Sequence, residues 1–331
     1  MPFSAINGGM ERSSLIETTG FKVAVFVIGT IVLGATLAPP LYWGGKLVVT
    51  EGWIKDVPVL DSIHGSMDRA RFSRYFNRAI LAGALIMLFP TLKWLSSKDG
   101  AKLSLRDRLQ VKPNRAWWVH LLVGFLLAAI PLFLLGWFYL EKGWYEASGT
   151  NKTLISVLFS ALTTGLVVAL LEEFVFRGAL TSIFSTLLKP WPLLISIAVF
   201  FALVHFLKPP EGADITAVTA LSGFHMLGLI FSQFGDWYFL AAEFAVLFAI
   251  GWVLGYTRLK TQSLWLGIGL HAGWVFGAKT LGPLARRTFE PAAMMPWLGG
   301  NLRVGLASCL VVCFTGLIVW LWLRRDRSEI A

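Results

Sequence analysis

This sequence predicts an all-α fold, a polytopic membrane bundle of about eight transmembrane helices with an active site in the bundle interior, on three observations. Hydrophobic residues make up 56% of the 331 and charged ones only 15%, with 15 Trp and 25 Phe, more apolar than an ordinary soluble domain. The apolar residues fall in stretches long enough to cross a bilayer, about 17 to 25 residues each. Inside one such stretch lie Glu172, Glu173 and Arg177. A charge at membrane depth costs at least roughly 2.5 to 3.5 kcal/mol on insertion scales, so three together imply a buried, paired and functional cluster.

The first apolar stretch, 21–49, follows a segment carrying Glu11, Arg12 and Glu17. It is too long for a signal-peptide core and has no small-residue cleavage pattern, so it is expected to be retained. Pro39-Pro40 should kink it or end it early, since proline removes an amide donor and clashes with the preceding turn. The second and third stretches are 79–96 and 116–140, and the fourth, 154–182, carries the glutamates. The fifth and seventh, 191–206 and 264–279, are short; the sixth is 239–256 and the eighth 304–323. A further stretch, 213–232, is broken by Asp214, Ser222, His225, Ser232 and Gln233 and preceded by Pro209-Pro210, and reads as an interfacial or re-entrant part of an insertion over 207–238.

Basic residues set the expected orientation. Arg324, Arg325 and Arg327 in the tail, Lys98, Lys102, Arg106, Arg108, Lys112 and Arg115 in one loop, and Arg258 and Lys260 in another all fall on one side of an eight-helix arrangement, which puts both termini in the cytoplasm. The loops with Arg69, Arg71, Arg74 and Arg78 and with Arg286, Arg287 and Arg303 oppose this. The net charge of +10 suits an anionic lipid surface, and no motif supports a nucleic-acid partner. The two cysteines, Cys309 and Cys313, stand one helical turn apart and read as apolar fillers. No internal repeat or nucleotide-binding glycine loop is present, and the chain reads as one domain.

On a helix, residues four apart share a face, and an acid N-terminal to a base is the favourable order. Glu173 and Arg177 obey that rule, which leaves Glu172, rotated by about 100°, as a separate carboxylate and the candidate general base. Two of the five histidines, His205 and His271, fall in later stretches. Phe201 precedes His205 by one turn on the same face, and Gly269, Gly273 and Gly277 form a close-packing stripe opposite the face of His271. One Glu and two His from three spans are the ligand set of a hydrolytic zinc site with an open water position, or equally a metal-free base with a polarising pair. His64, His120 and His225 are assigned no chemistry.

These residues resemble the CAAX-processing and bacteriocin-processing (CPBP) intramembrane proteases, whose pattern is Glu-Glu-xxx-Arg, then Phe-xxx-His, then His-xxx-Asn. Glu172, Glu173 and Arg177 match the first, Phe201 and His205 the second, and His271 the third. The stretch Gly251 to Trp265 is also similar to the family's lead-in to its last histidine, and the resemblance spans about 154–279. It implies an intramembrane endopeptidase, glutamate-type or zinc-dependent, in which Glu172 and His205 activate a water, His271 helps stabilise the oxyanion, and Glu173, Arg177 and Phe201 support them. If zinc is used, Glu172, His205 and His271 would hold it. The implied partners are membrane lipid and a peptide or lipidated (prenylated, CAAX-type) protein substrate, and the implied location is a bacterial cytoplasmic membrane. Residues 1–150 then supply N-terminal helices and basic loops, 151–280 the catalytic helices, and 281–331 a loop, the last helix and a basic tail.

One position departs from the pattern: Val275 stands where the family has Asn. Valine donates no hydrogen bond, and losing one oxyanion donor typically costs about 100- to 1000-fold in rate. Trp274 and Lys279 are the nearby substitutes. Two alternatives follow, a non-catalytic membrane scaffold or immunity protein and a proton-coupled transporter using the same three residues; the transporter lacks the usual inverted repeat.

Overall fold

The structure is a computed structural model that describes residues 19–57, 60–96, 115–185, 188–210, 212–232, 234, 237–299 and 301–325. Glu11, Arg12, Glu17, the whole of the basic stretch Lys98–Lys112, Gln233 and Arg327 lie outside the described residues. Helices dominate: α1 (Thr19–Thr50), α2 (Leu60–Asp68), α3 (Phe72–Ser96), α4 (Trp117–Glu141), α5 (Leu154–Phe184), α6 (Pro190–His205), α7 (Ser222–Ser232), α8 (Trp237–Thr261), α9 (Trp265–Leu284), α10 (Pro291–Met294) and α11 (Leu306–Arg325). Each of the eight apolar stretches is a helix. Among the described residues five are long and apolar enough to cross a membrane, α4, α5 and parts of α1, α8 and α11. The expected count of eight crossings is not confirmed: α6 has 16 residues, α3 carries Arg74, Arg78 and Lys93, and glycines with His271 and Lys279 dilute the apolar character of α9. The protein is an integral membrane protein.

The fold is not purely helical. Strands β1 (Tyr145–Ala147) and β2 (Ala285–Arg287) pair antiparallel, with Glu146 opposite Arg286 and their side chains bonded at 2.7 Å. The ribbon follows the C-terminal ends of α4 and α9, and the Ser148 hydroxyl donates to the Pro283 carbonyl at 2.5 Å.

The chain divides into two compact units, Met1–Ala101 with Pro209–Leu229, and Lys102–Lys208 with Ile230–Ala331. In the first, α1 packs on α3 so closely that a Cβ at Gly83 would sit 2.9 Å from the Thr30 carbonyl oxygen. Pro39 and Pro40 do not end α1, which runs through them to Thr50. Membrane helices tolerate proline where neighbours occupy the space beside the freed carbonyls. Gly223 does so here: any Cβ at that position would overlap the Ala35 carbonyl, the group that Pro39 leaves without its helical donor. Arg71 approaches Asp214 at 3.8 Å, so the first part of the insertion packs within this unit.

The second unit contains α4, α5, α6, α8, α9 and α11. The stripe of small residues on α9 packs as expected: a Cβ at Gly273 would meet the Phe125 carbonyl and Ala128 of α4, and one at Gly277 would stand 2.9 Å from Leu132. On the α5 side, Gly165 lies against the Ala272 carbonyl. Leu254, Leu266, Leu270, Trp274, Val312 and Val319 join α8, α9 and α11 in one apolar core. The remaining face of α9 carries His271.

Candidate active site

Glu173 and Arg177 form the expected pair at 3.1 Å, and both side chains are buried. Removing two charges from solvent is offset only if their remaining groups find partners. Arg177 donates a second bond to the Gly251 carbonyl at 3.2 Å, and its guanidinium lies 4.5 Å from the Phe201 ring centre. Arg258 in turn donates from Nε to the Arg177 carbonyl at 2.9 Å. Gly267 leaves room for the second glutamate: a Cβ there would stand 3.0 Å from Glu173 Oε2.

The backbone opens a π-type turn over Phe174–Leu180, directly after the glutamates. Such a turn frees a carbonyl, and the Thr181 hydroxyl donates to the Phe176 carbonyl at 2.9 Å.

Two histidines from separate helices meet Glu172. His205 Nε2 is 3.6 Å and His271 Nε2 3.7 Å from Glu172 Oε2, and that oxygen is buried without a direct protein hydrogen bond. The other ring nitrogens fix the tautomers. His205 Nδ1 lies 2.8 Å from the Phe201 carbonyl, which can only accept, so Nδ1 carries the proton and Nε2 of the neutral ring presents a lone pair. His271 Nδ1 lies 3.0 Å from Glu173 Oε1, with the same consequence. Phe201 stacks against His205 with ring centres 4.3 Å apart and holds its plane. The separations at Glu172 exceed a direct hydrogen bond and suit a water that donates to two of these three acceptors.

The three groups open on a cavity of about 690 Å³ within the second unit. Its wall includes Val275, confirming that position 275 faces the site and brings no donor, together with Trp274 and Lys279. It also includes Lys208, Glu243 and Arg303, which the sequence does not flag as site residues. No local pattern marks them, because they come from the end of α6, from α8 and from the loop before α11. His64 instead faces the Val49 carbonyl at 3.2 Å, and the His120 ring packs on Trp322. Among the described residues no group of three His, Cys, Asp or Glu is arranged to hold a metal ion.

Comparison with known families fits this arrangement. The family model described as type II CAAX prenyl endopeptidase Rce1-like matches residues 154–277. No curated protein matches the chain. The matched segment holds Glu172, Glu173, Arg177, Phe201, His205 and His271. The match to the Rce1-like family model therefore falls on the same segment, and the same motifs, that carry the resemblance to the CPBP proteases.

Proposed function

We propose that the protein is an intramembrane endopeptidase that hydrolyses peptide bonds of membrane-associated substrates, prenylated CAAX-type peptides among them, in the cavity of its second unit. The observation that carries this reading is the convergence of His205 Nε2 and His271 Nε2 on Glu172 Oε2 at 3.6 and 3.7 Å. A water there donates one hydrogen to Glu172 and one to the lone pair of His205, and its own lone pair attacks the carbonyl carbon. Glu172 takes the proton and later returns it to the leaving amine as the C–N bond breaks. His271 helps stabilise the oxyanion in its charged form, in which Nε2 has taken a proton from solvent before the attack and keeps it throughout, while Nδ1–H stays on Glu173. Glu173, Arg177 and Phe201 orient the two histidines, and of the three only Phe201 reaches the cavity wall.

The test is cleavage of fluorogenic peptides, with and without a prenyl chain, by detergent-purified protein. Glu172→Gln should lower kcat by a factor of about 100 or more, the range for losing a positioned base, with folding intact. A chelator arm decides the zinc question: activity that survives it assigns the reaction to the side chains alone. Equal, absent cleavage by both proteins would remove the peptidase reading and favour a non-catalytic scaffold. We further infer a bacterial cytoplasmic membrane with both termini inside, from the basic residues of the tail and of the turn at Arg258 and Lys260; single-cysteine labelling from either side of oriented vesicles tests it.

A further inference from the structure

The tetrahedral oxyanion of this reaction needs donors, and the position expected to supply one, Val275, cannot. We propose that the Lys208 ammonium is a second oxyanion-stabilising group beside His271, doing with a full charge what an amide at position 275 would do with a hydrogen bond; this rests on the peptidase reading above.

Four observations lead to Lys208. It lines the same cavity as Glu172, His205, His271 and Val275. It follows His205 by three residues in a turn that prolongs α6, since the Phe206 and Leu207 amides bond to the Leu203 and Val204 carbonyls at 3.1 Å. This keeps Lys208 on the His205 side of the helix end. Glu172 attracts the Lys208 ammonium, and His205 lies within the same field. The ammonium therefore sits within electrostatic reach of both groups that would hold the attacking water.

The other candidates fit less well. Lys279 also lines the cavity but lies eight residues beyond His271, about 12 Å along the helix. The Trp274 indole N–H has no protein hydrogen-bond partner, yet its ring is packed in the apolar core with Leu270, Val246 and Val312. Lysine brings three donors on a flexible stem and no acceptor, so it can follow the carbonyl oxygen as charge develops. As the water oxygen bonds to the carbonyl carbon, the carbonyl π pair moves onto oxygen, and the ammonium meets that charge without giving up a proton. When the C–N bond breaks, the pair returns and the charge disappears.

A purely structural role would be charge balance, because Glu243 also lies within reach of Lys208 and Arg303. The experiment separates the two. Wild type, Glu172→Gln, Lys208→Met, Lys208→Arg and the double variant Lys208→Met with Glu243→Gln are compared on one fluorogenic peptide, with kcat and KM resolved and thermal unfolding recorded in detergent. The expected result is a fall in kcat of about 100- to 1000-fold for Lys208→Met with KM changed less than about threefold, and a kcat for Lys208→Arg at least about tenfold above that of Lys208→Met. Lys208→Gln replaces the methionine variant if the latter does not fold, with the same outcomes. The proposal is overturned if the neutral variant keeps kcat within about threefold of wild type, or if adding Glu243→Gln restores it. Those results with Glu172→Gln inactive would leave the peptidase reading standing, whereas an inactive wild type would remove both.

Discussion

Arg177 shows at the scale of one residue how the site is held. Its side chain is fully buried, and its partners are a carboxylate, a main-chain carbonyl and an aromatic face. Removing one member of a buried pair leaves the other charge uncompensated, which costs about 3 to 5 kcal/mol. Arg177→Met should therefore lower the unfolding midpoint in detergent markedly, and activity should fall with it. Glu172→Gln is the contrast: that side chain is 26% exposed, stands 3.6 and 3.7 Å from the two histidine nitrogens, and should melt close to wild type while losing cleavage. The pairing of Glu173 with Arg177 is legible in the sequence because residues four apart on a helix always meet. The bond from His271 to the same glutamate is not, since the two lie 98 positions apart and only packing brings them together.

The orientation of whole elements depends on how closely they approach. The glycines of α9 allow its backbone to rest on α4, and the thickness of that contact sets where His271 points on the opposite face. Gly273→Leu would force side-chain atoms against the Phe125 carbonyl and Ala128. Overpacking typically costs about 1 to 3 kcal/mol, and here it should also displace His271. The expected outcome is a lowered melting temperature together with a loss of kcat larger than the fraction unfolded explains, checked by unfolding and steady-state rates on one preparation. The stripe is readable from sequence because small residues recur every four positions. The π-type turn after Glu173 is not, because no residue in Phe174–Leu180 announces an extra residue in the turn. The prolines of α1 mislead for a related reason. A rule about isolated helices expects a break, while a neighbouring glycine backbone occupies the space beside the freed carbonyl.

For the molecule as a whole, large apolar side chains remain on the outside, Ile155 at 80% exposure and Phe159 at 69% on α5 among them. Water would not tolerate such a surface, and lipid does. The protein should stay with the membrane pellet through high salt and alkaline carbonate washes and be released by detergent, as fractionation followed by immunoblotting would show. The sequence by itself determined the mainly helical membrane character, the positions of the apolar helices and the Glu173–Arg177 pair, and singled out Glu172, His205 and His271 as candidates, because hydrophobic run length and helical periodicity are local properties of a chain. Only the tertiary structure decided that those three converge on one cavity, that Glu173 also anchors His271, that a two-stranded ribbon follows α4 and α9, and that Lys208, Glu243 and Arg303 share the cavity with the glutamate. These depend on which faces of distant helices pack together, and that is set by side-chain volume and close backbone approach among residues far apart in the chain.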